Sequence, residues 1–187
     1  KEAKEGGDSM LASSVAAYNH ISEFSPELVT ALFEPVSTDR RGEIPEGGKP
    51  FFTIPVFNWH DDKLSCIYQR NYINSAQRYK DAPKLSALQK EALDLFDEVV
   101  NRPTFHLKMR LKPGDMQFVY NHSLLHDRTE FKDWADPKER RHLLRLWLAL
   151  PKDRNLPPIY KQRYGKIEVG DRGGVITNET VLHVPMN

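Results

Sequence analysis

This sequence predicts a β-rich single domain decorated with helices, either an antiparallel sandwich or a jelly roll, and three observations support the prediction. At least five short runs alternate apolar and polar residues or are dense in β-branched and aromatic side chains, as half-buried strands are. Several of them are amphipathic, which favours an antiparallel sheet with one wet face over a parallel sheet buried on both. The chain has 187 residues, a length that suits one domain (1–187) with a substantial core rather than two.

The strands and helices follow from local chemistry. Gly6 and Gly7 predict a tight turn, Asp8 and Ser9 can cap or ligate, and Leu11 to Ile21 carries apolar residues at helical spacing. Ser25, Pro26 and Glu27 start a second helix over Pro26–Phe33, with Ser as cap and Pro at the first helical position. Val36 to Lys49 is charged and rich in Gly and Pro, an exposed loop or hairpin. Phe51–Phe57 and Leu64–Tyr72 read as two strands joined across Asn58–Lys63, and the second would place Cys66, Tyr68, Arg70 and Tyr72 on one face. Ala82–Val100 has the longest helical pattern, closed by Asn101, Arg102 and Pro103. Phe105–Leu111 alternates as a strand with one buried face should. From Pro151 to Ile176 the chain is turn-rich, without a clear helix.

Composition excludes some functions. Lys plus Arg is 27 and Asp plus Glu 26, a net charge of +1, so there is no whole-molecule field to draw in nucleic acid or an anionic membrane. No Arg/Lys stripe is present either, which argues against nucleic-acid chemistry. The single cysteine, Cys66, rules out an internal disulfide and suits a reducing compartment. No apolar run approaches a membrane span, and the first residues are charged rather than signal-like, so the cytoplasm is the expected location. The chain starts at Lys1, without Met, and runs straight into a Gly-Gly turn, as though entered in mid-fold.

The stretch from Lys112 to Leu150 concentrates the chemistry. A turn at Pro113, Gly114 and Asp115 leads into an apolar strand over Met116–Tyr120, followed by Asn121, His122 and His126. Beyond a charged loop, Arg141, Leu143, Arg145 and Trp147 alternate with His142, Leu144, Leu146 and Leu148, which as a strand puts both arginines on one face. An imidazole followed by two same-face guanidiniums suits a metal and a carboxylate, because guanidinium forks match carboxylates bidentately.

Three segments in order, GGDSMLASSVAAY, GDMQFVYNHSLLHDRTEF and RRHLLRLWL, resemble the second half of the taurine dioxygenase (TauD/TfdA-like) family of Fe(II)- and 2-oxoglutarate-dependent oxygenases. The likeness runs from Gly6 to about Gly174. It implies a double-stranded β-helix of the clavaminate synthase-like type, here truncated at its N-terminus. It further implies ferrous iron held by two histidines and a carboxylate, with positions left open for 2-oxoglutarate and O2. The reaction so implied yields succinate, carbon dioxide and an oxidant that attacks an unactivated C–H bond. Residue by residue, His126 matches the distal iron histidine, Arg141 the arginine that pairs with the distal carboxylate of 2-oxoglutarate, and Ser9 a position usually held by a Thr contacting that carboxylate. Arg145 matches a position that grips an acidic substrate group in some members. Trp147 would wall the substrate pocket or sit in the core. Tyr68 and Arg70 are further substrate-binding candidates, against the plainer reading of an ordinary strand face.

One departure matters. The family's other two iron ligands form a His-any-Asp motif upstream of the Gly-Gly-Asp turn, and this chain begins only a few residues before that turn. The string His60, Asp61, Asp62 comes after it, in a hairpin connection, and chain order argues against a metal role there. The expectation is that the remaining His and Asp ligands lie upstream of Lys1, in a preceding segment of the same protein that also carries the first strands. A noncatalytic anion-binding jelly roll is the competing reading. The partner expected in either case is a small anionic molecule, with no nucleic acid and no membrane, and a homo-oligomer is left open.

Overall fold

The computed structural model describes residues 1–172; the last residues of the turn-rich tail and the end of the family likeness lie outside them. Among the described residues, no helix is long and apolar enough to cross a membrane. In chain order the main elements are β1 (Glu5–Gly6), β2 (Ser9–Ser13), α1 (Ser14–Phe24), α2 (Pro26–Ala31), β3 (Pro35–Asp39), β4 (Phe51–Pro55), β5 (Phe57–His60), β6 (Lys63–Cys66), α3 (Arg70–Ala76), α4 (Ala87–Asn101), β7 (His106–Met109), β8 (Leu124–Arg128), β9 (Phe131–Lys132) and α5 (Lys161–Tyr164). The strands form small antiparallel sheets: β7-β2-β8, β3-β4, β5-β6 and β1-β9, with a short pair over 167–172. The described residues thus have the expected mixture of antiparallel strands and helices, without a closed barrel.

The helices supply most of the core. Ser13 caps α1 by accepting from the Ala16 N–H, and α1 buries Ala17 and Ile21. Ser86 and Gln89 form a reciprocal capping box on α4, whose Ala92, Leu93, Phe96 and Val99 are buried. These meet Leu28, Leu32, Val56, Phe57 and Ile73 in the main cluster. A smaller cluster joins Phe52 and Ile54 of β4 to Leu156 and Tyr160, which anchors the tail.

The local predictions hold unevenly. The helix expected from Leu11 starts only at Ser14, because Ser9–Ser13 is claimed by strands on both sides. The loop expected over Val36–Lys49 begins only at Arg40. Val36 to Asp39 are buried in β3, where the Asp39 carboxylate accepts from Ser75, Tyr79 and the Arg41 N–H and pairs with Arg78 at 2.9 Å. The run Phe51–Phe57 is split: β4 pairs with β3, and the hairpin is made by β5 and β6. Pro55, which has no N–H to give a ladder, sits at the break. The hairpin turns on Asp61 and Asp62, both at positive φ (47° and 55°), as a tight two-residue hairpin loop demands. The second strand stops at Cys66 and Arg70 opens α3 instead, so Tyr68, Arg70 and Tyr72 do not share a strand face.

The strands expected at Met116–Tyr120 and across Arg141–Leu148 are not formed among the described residues. Met116, Phe118, Leu144 and Leu146 are each more than three-quarters exposed, and no strand lies alongside to receive their backbone groups. What the second run does have is one residue of pairing at its start. The Lys1 main-chain nitrogen donates to the His142 carbonyl and the Lys1 carbonyl accepts from the His142 N–H, both at 3.0 Å.

Candidate functional site

The three-stranded sheet places the first candidates. Residues directly opposite one another in an antiparallel pair share a face. Ser9 stands opposite Arg128 and Met109, and Leu11 opposite His126 and Leu107. The alternate residues, Ala12 and Leu125, turn to the core. His126 and Ser9 therefore lie on the outer face, where Leu107 is 66% exposed and His126 is open to solvent.

Partial burial of its ring lowers the His126 pKa from the ordinary value, and the positive charge of Arg145 lowers it further, against Asp127. The imidazole is thus held neutral, the form that binds a metal. Arg145 is therefore near enough for its charge to be felt at His126. Arg141 approaches the same region from the N-terminal end: its Nε and Cδ fill the space that a side chain on Gly7 would take, two residues before Ser9. Its backbone N–H donates to Asp133 Oδ1 at 2.8 Å. Among the described residues, neither Arg141 nor Arg145 takes part in an ion pair. Asp8 pairs instead with Lys108, at 3.3 Å.

Two residues join the site that the sequence reading did not single out. Gln117 accepts a hydrogen bond from Ser9 Oγ at 2.7 Å, tying the segment after the Pro113 turn to β2. Phe131 lies under Arg141. Gln117 is the one polar residue within Met116–Tyr120, a signal that was available; Phe131 gave none beyond being aromatic.

The other candidates are placed differently. Trp147 is 66% exposed in the irregular segment after Arg145. Tyr68 packs at the core edge against Phe96 and donates to Asp97 Oδ1 at 2.5 Å, while Arg70 reaches Asp97 at 3.0 Å and also pairs with Asp94. Burial and the Asp97 charge push the Tyr68 pKa up. The strand face that was to present these two is what the structure corrects: the strand ends at Cys66 and their donors engage α4. His60 sits beside the hairpin turn, where Asp61 accepts from Asn155.

The His and Asp ligands expected upstream of Lys1 lie outside the described residues. Lys1 itself is not a metal donor. Its Nζ is engaged by the Glu139 carboxylate at 3.0 Å and by the Lys138 carbonyl, and an ammonium has only protons to offer. Together with the His142 exchange, these contacts hold the first residue of the chain against the segment that carries Arg141.

His122 also goes elsewhere. It meets Arg172 at 3.3 Å in a partly buried network in which Tyr120 donates to Asp153 at 2.5 Å, Arg154 donates to Tyr120 at 2.9 Å and to the Leu64 carbonyl at 2.6 Å, and Arg172 pairs with Asp153 at 2.5 Å. Burial, with the Arg172 charge, takes the His122 pKa down to about 4. The network pins the turn leading into β8, because the His122 carbonyl accepts from the Cys66 N–H and the Ser123 carbonyl from the Ser14 N–H.

With an outward imidazole, a hydroxyl on the same face and Arg141 against the turn that leads into that strand, the comparison with known proteins becomes informative. The family described as "Taurine catabolism dioxygenase TauD, TfdA family" matches residues 1–147. The chain belongs to that family. It is 38% identical to FR-33289 synthase of Streptomyces rubellomurinus over 83% of this chain and 47% of that protein. A taurine hydroxylase-like protein of Stachybotrys chartarum is 40% identical over 75% of this chain and 36% of its own length. A uridine-5'-phosphate dioxygenase of an Amycolatopsis species is 31% identical over 83% and 55%. The chain thus spans about half the length of the curated relatives it matches.

Members of this family generally use Fe(II) and 2-oxoglutarate. A facial triad needs three protein donors, whereas among the described residues no three His, Cys, Asp or Glu side chains gather closely enough to hold a metal. His126 fits as one donor. The residues present do not complete an iron centre.

Proposed function

We propose that this chain is the part of an Fe(II)- and 2-oxoglutarate-dependent dioxygenase that carries the distal metal histidine and the two anion grips. In this reading His126 is one metal donor. Arg141, with the Ser9 hydroxyl, holds the distal carboxylate of 2-oxoglutarate, and Arg145 holds an acidic group of the substrate. The remaining His and Asp ligands come from polypeptide that precedes Lys1, whose strands complete a jelly roll over the exposed apolar rows at Met116–Tyr120 and Leu143–Leu150. Iron, when bound, supplies the oxidising chemistry that acts on a C–H bond of a small metabolite.

The observation that supports the reading is that Ser9 and His126 share the outer face of one sheet while Arg141 lies against Gly7, two residues before Ser9, and the charge of Arg145 is felt at His126, neither guanidinium having an acidic partner among the described residues. Arg141 is half-buried and Arg145 exposed, so the cost of an unpaired charge bears on Arg141, where an anion is the natural completion, while Arg145 is a solvated fork free to meet one. The names of two relatives point the same way, since taurine and uridine-5'-phosphate both carry an acidic group. Hydroxylation is the default outcome, with desaturation or cyclisation open to the same oxidant.

The test is succinate formation dependent on 2-oxoglutarate, Fe(II) and substrate, by a polypeptide that joins this chain to a family segment carrying the His-any-Asp motif. The isolated 187-residue chain should bind iron weakly and show no turnover; robust turnover by it alone would refute the shared centre. The absence of a three-donor cluster among the described residues favours one alternative, a noncatalytic module that uses its arginine pair to hold an anion. Anion binding without succinate formation by the joined polypeptide would select it.

A further inference from the structure

Arg141 lies in a built slot. β1 and β9 pair so that Gly6 stands opposite Phe131. A Cβ on Gly6 would come within 2.1 Å of the Glu130 carbonyl oxygen, so only glycine lets the two strands close. Gly7 follows at φ +78°, donating its N–H to that same carbonyl at 3.1 Å, and a Cβ there would meet Arg141 Nε at 3.2 Å and Cδ at 3.3 Å. The bare edge of Gly7 is therefore one wall of the slot. Its floor is the Phe131 ring, whose centroid is 5.5 Å from the Arg141 guanidinium carbon and 4.4 Å from that of Arg128. Both distances are within the reach of a cation–π contact. Neither arginine has an acidic partner among the described residues, so the ring is the counterpart that each guanidinium has there.

We propose that Phe131 is a positioning residue for Arg141, holding the guanidinium in the orientation in which its fork meets the carboxylate of 2-oxoglutarate. The proposal rests on the reading of Arg141 given above. An arginine side chain has several rotatable bonds to order when it binds; a ring that orders it beforehand removes part of that cost from the binding step. Phe131 touches Arg141 and acts through it.

The experiment compares wild type, Phe131→Leu, Phe131→Tyr and Arg141→Gln in the polypeptide that joins this chain to a family segment carrying the His-any-Asp motif, loaded anaerobically with Fe(II) and titrated with 2-oxoglutarate by calorimetry. Leucine keeps apolar bulk without a π face, and tyrosine keeps the face. Phe131→Leu should bind about 3- to 10-fold more weakly, the scale of a partly exposed cation–π contact, and Phe131→Tyr within about 2-fold of wild type. A second readout needs no ligand: the Arg141 Nε–H resonance, shifted by the ring current of Phe131, should move in Phe131→Leu and be retained in Phe131→Tyr. Equal affinity and an unmoved resonance in Phe131→Leu would overturn the proposal. So would equal weakening by leucine and tyrosine, which would make bulk, not the ring, the operative property. If Arg141→Gln binds 2-oxoglutarate like wild type, or wild type does not bind it, the underlying reading of Arg141 fails instead.

Discussion

Arg70 and Arg141 were both candidates for gripping a small molecule, and they have opposite surroundings. Arg70, at the start of α3, is forked between Asp94 and Asp97, the latter also accepting from Tyr68. Arg141 stands over Phe131 and against Gly7 with no acidic partner among the described residues. The lesson is that what an arginine lacks is more informative than where it sits: a guanidinium already matched by carboxylates has no fork to offer, whereas a positioned, unmatched one is a receptor. Substitutions on both sides can break that contrast.

The largest effect is expected at the open end. Arg141→Gln removes a charge-assisted pair worth about 1.5–3 kcal/mol, so the 2-oxoglutarate dissociation constant should rise roughly 10- to 100-fold. Thermal stability should fall by no more than the lost contact with the Phe131 ring, about 0.5–1 kcal/mol, because among the described residues Arg141 takes part in no ion pair. A variant that loses more stability than this instead would make Arg141 a structural residue like Arg70.

The Tyr120–Asp153–Arg154–His122 network sharpens the comparison from the closed end, through pH. The folded His122 pKa of about 4 lies below the ordinary 6.5. Between those values the unfolded chain binds a proton that the folded chain refuses, so stability falls as pH drops through 6.5 and the loss is complete below 4. Asp153, whose carboxyl is held below the usual range despite burial by Tyr120, the Arg154 N–H and Arg172, acts in the same direction at lower pH. The His122 contribution is about 3 kcal/mol at most. Urea unfolding of wild type and His122→Asn between pH 7 and 4 should show the variant losing less stability on acidification; parallel curves would remove His122 from the account.

Gly6→Ala is expected next in size. The added methyl would overlap the Glu130 carbonyl at 2.1 Å on a backbone of φ +66°, costing about 1–3 kcal/mol of stability. Because the same contact seats Phe131 under Arg141, weaker 2-oxoglutarate binding should accompany the lowered midpoint in chemical denaturation. Wild-type stability would show that β1 and β9 are not closed in solution.

These contrasts also mark what the sequence could show. Ser9, His126 and the pair Arg141 and Arg145 were readable as candidates because they sit in three motifs that follow one another in order. Asp94 and Asp97, which engage Arg70, were readable only as the polar side of a helix, since nothing local says that α4 crosses behind Tyr68. The two strands expected at Met116–Tyr120 and Arg141–Leu148 had the right alternation. Alternation specifies a face but not a neighbour, and the neighbour is what the described residues lack beyond the single exchange of Lys1 with His142. His122 was read beside His126 because they are close in the chain; a turn over 121–123 and partners from the distant tail separate them.

The smallest effect is expected at Arg70 itself, and it closes the comparison. Its side chain is 24% exposed and its partners more so, 67% for Asp94 and 33% for Asp97, so solvent screens the pairs and Arg70→Gln should cost only about 1 kcal/mol. Tyr68 would keep its bond to Asp97 and the α3–α4 contact would loosen rather than part. The affinity for 2-oxoglutarate should stay within about 2-fold of wild type, since a surface change away from a site leaves binding nearly additive. A double variant with Arg141→Gln should therefore show the two losses separately, stability from position 70 and binding from position 141. If the Arg70 change also weakened 2-oxoglutarate binding 10-fold or more, the fork on α4 would have to release its carboxylates during function, and a matched arginine could no longer be read as one with nothing left to give.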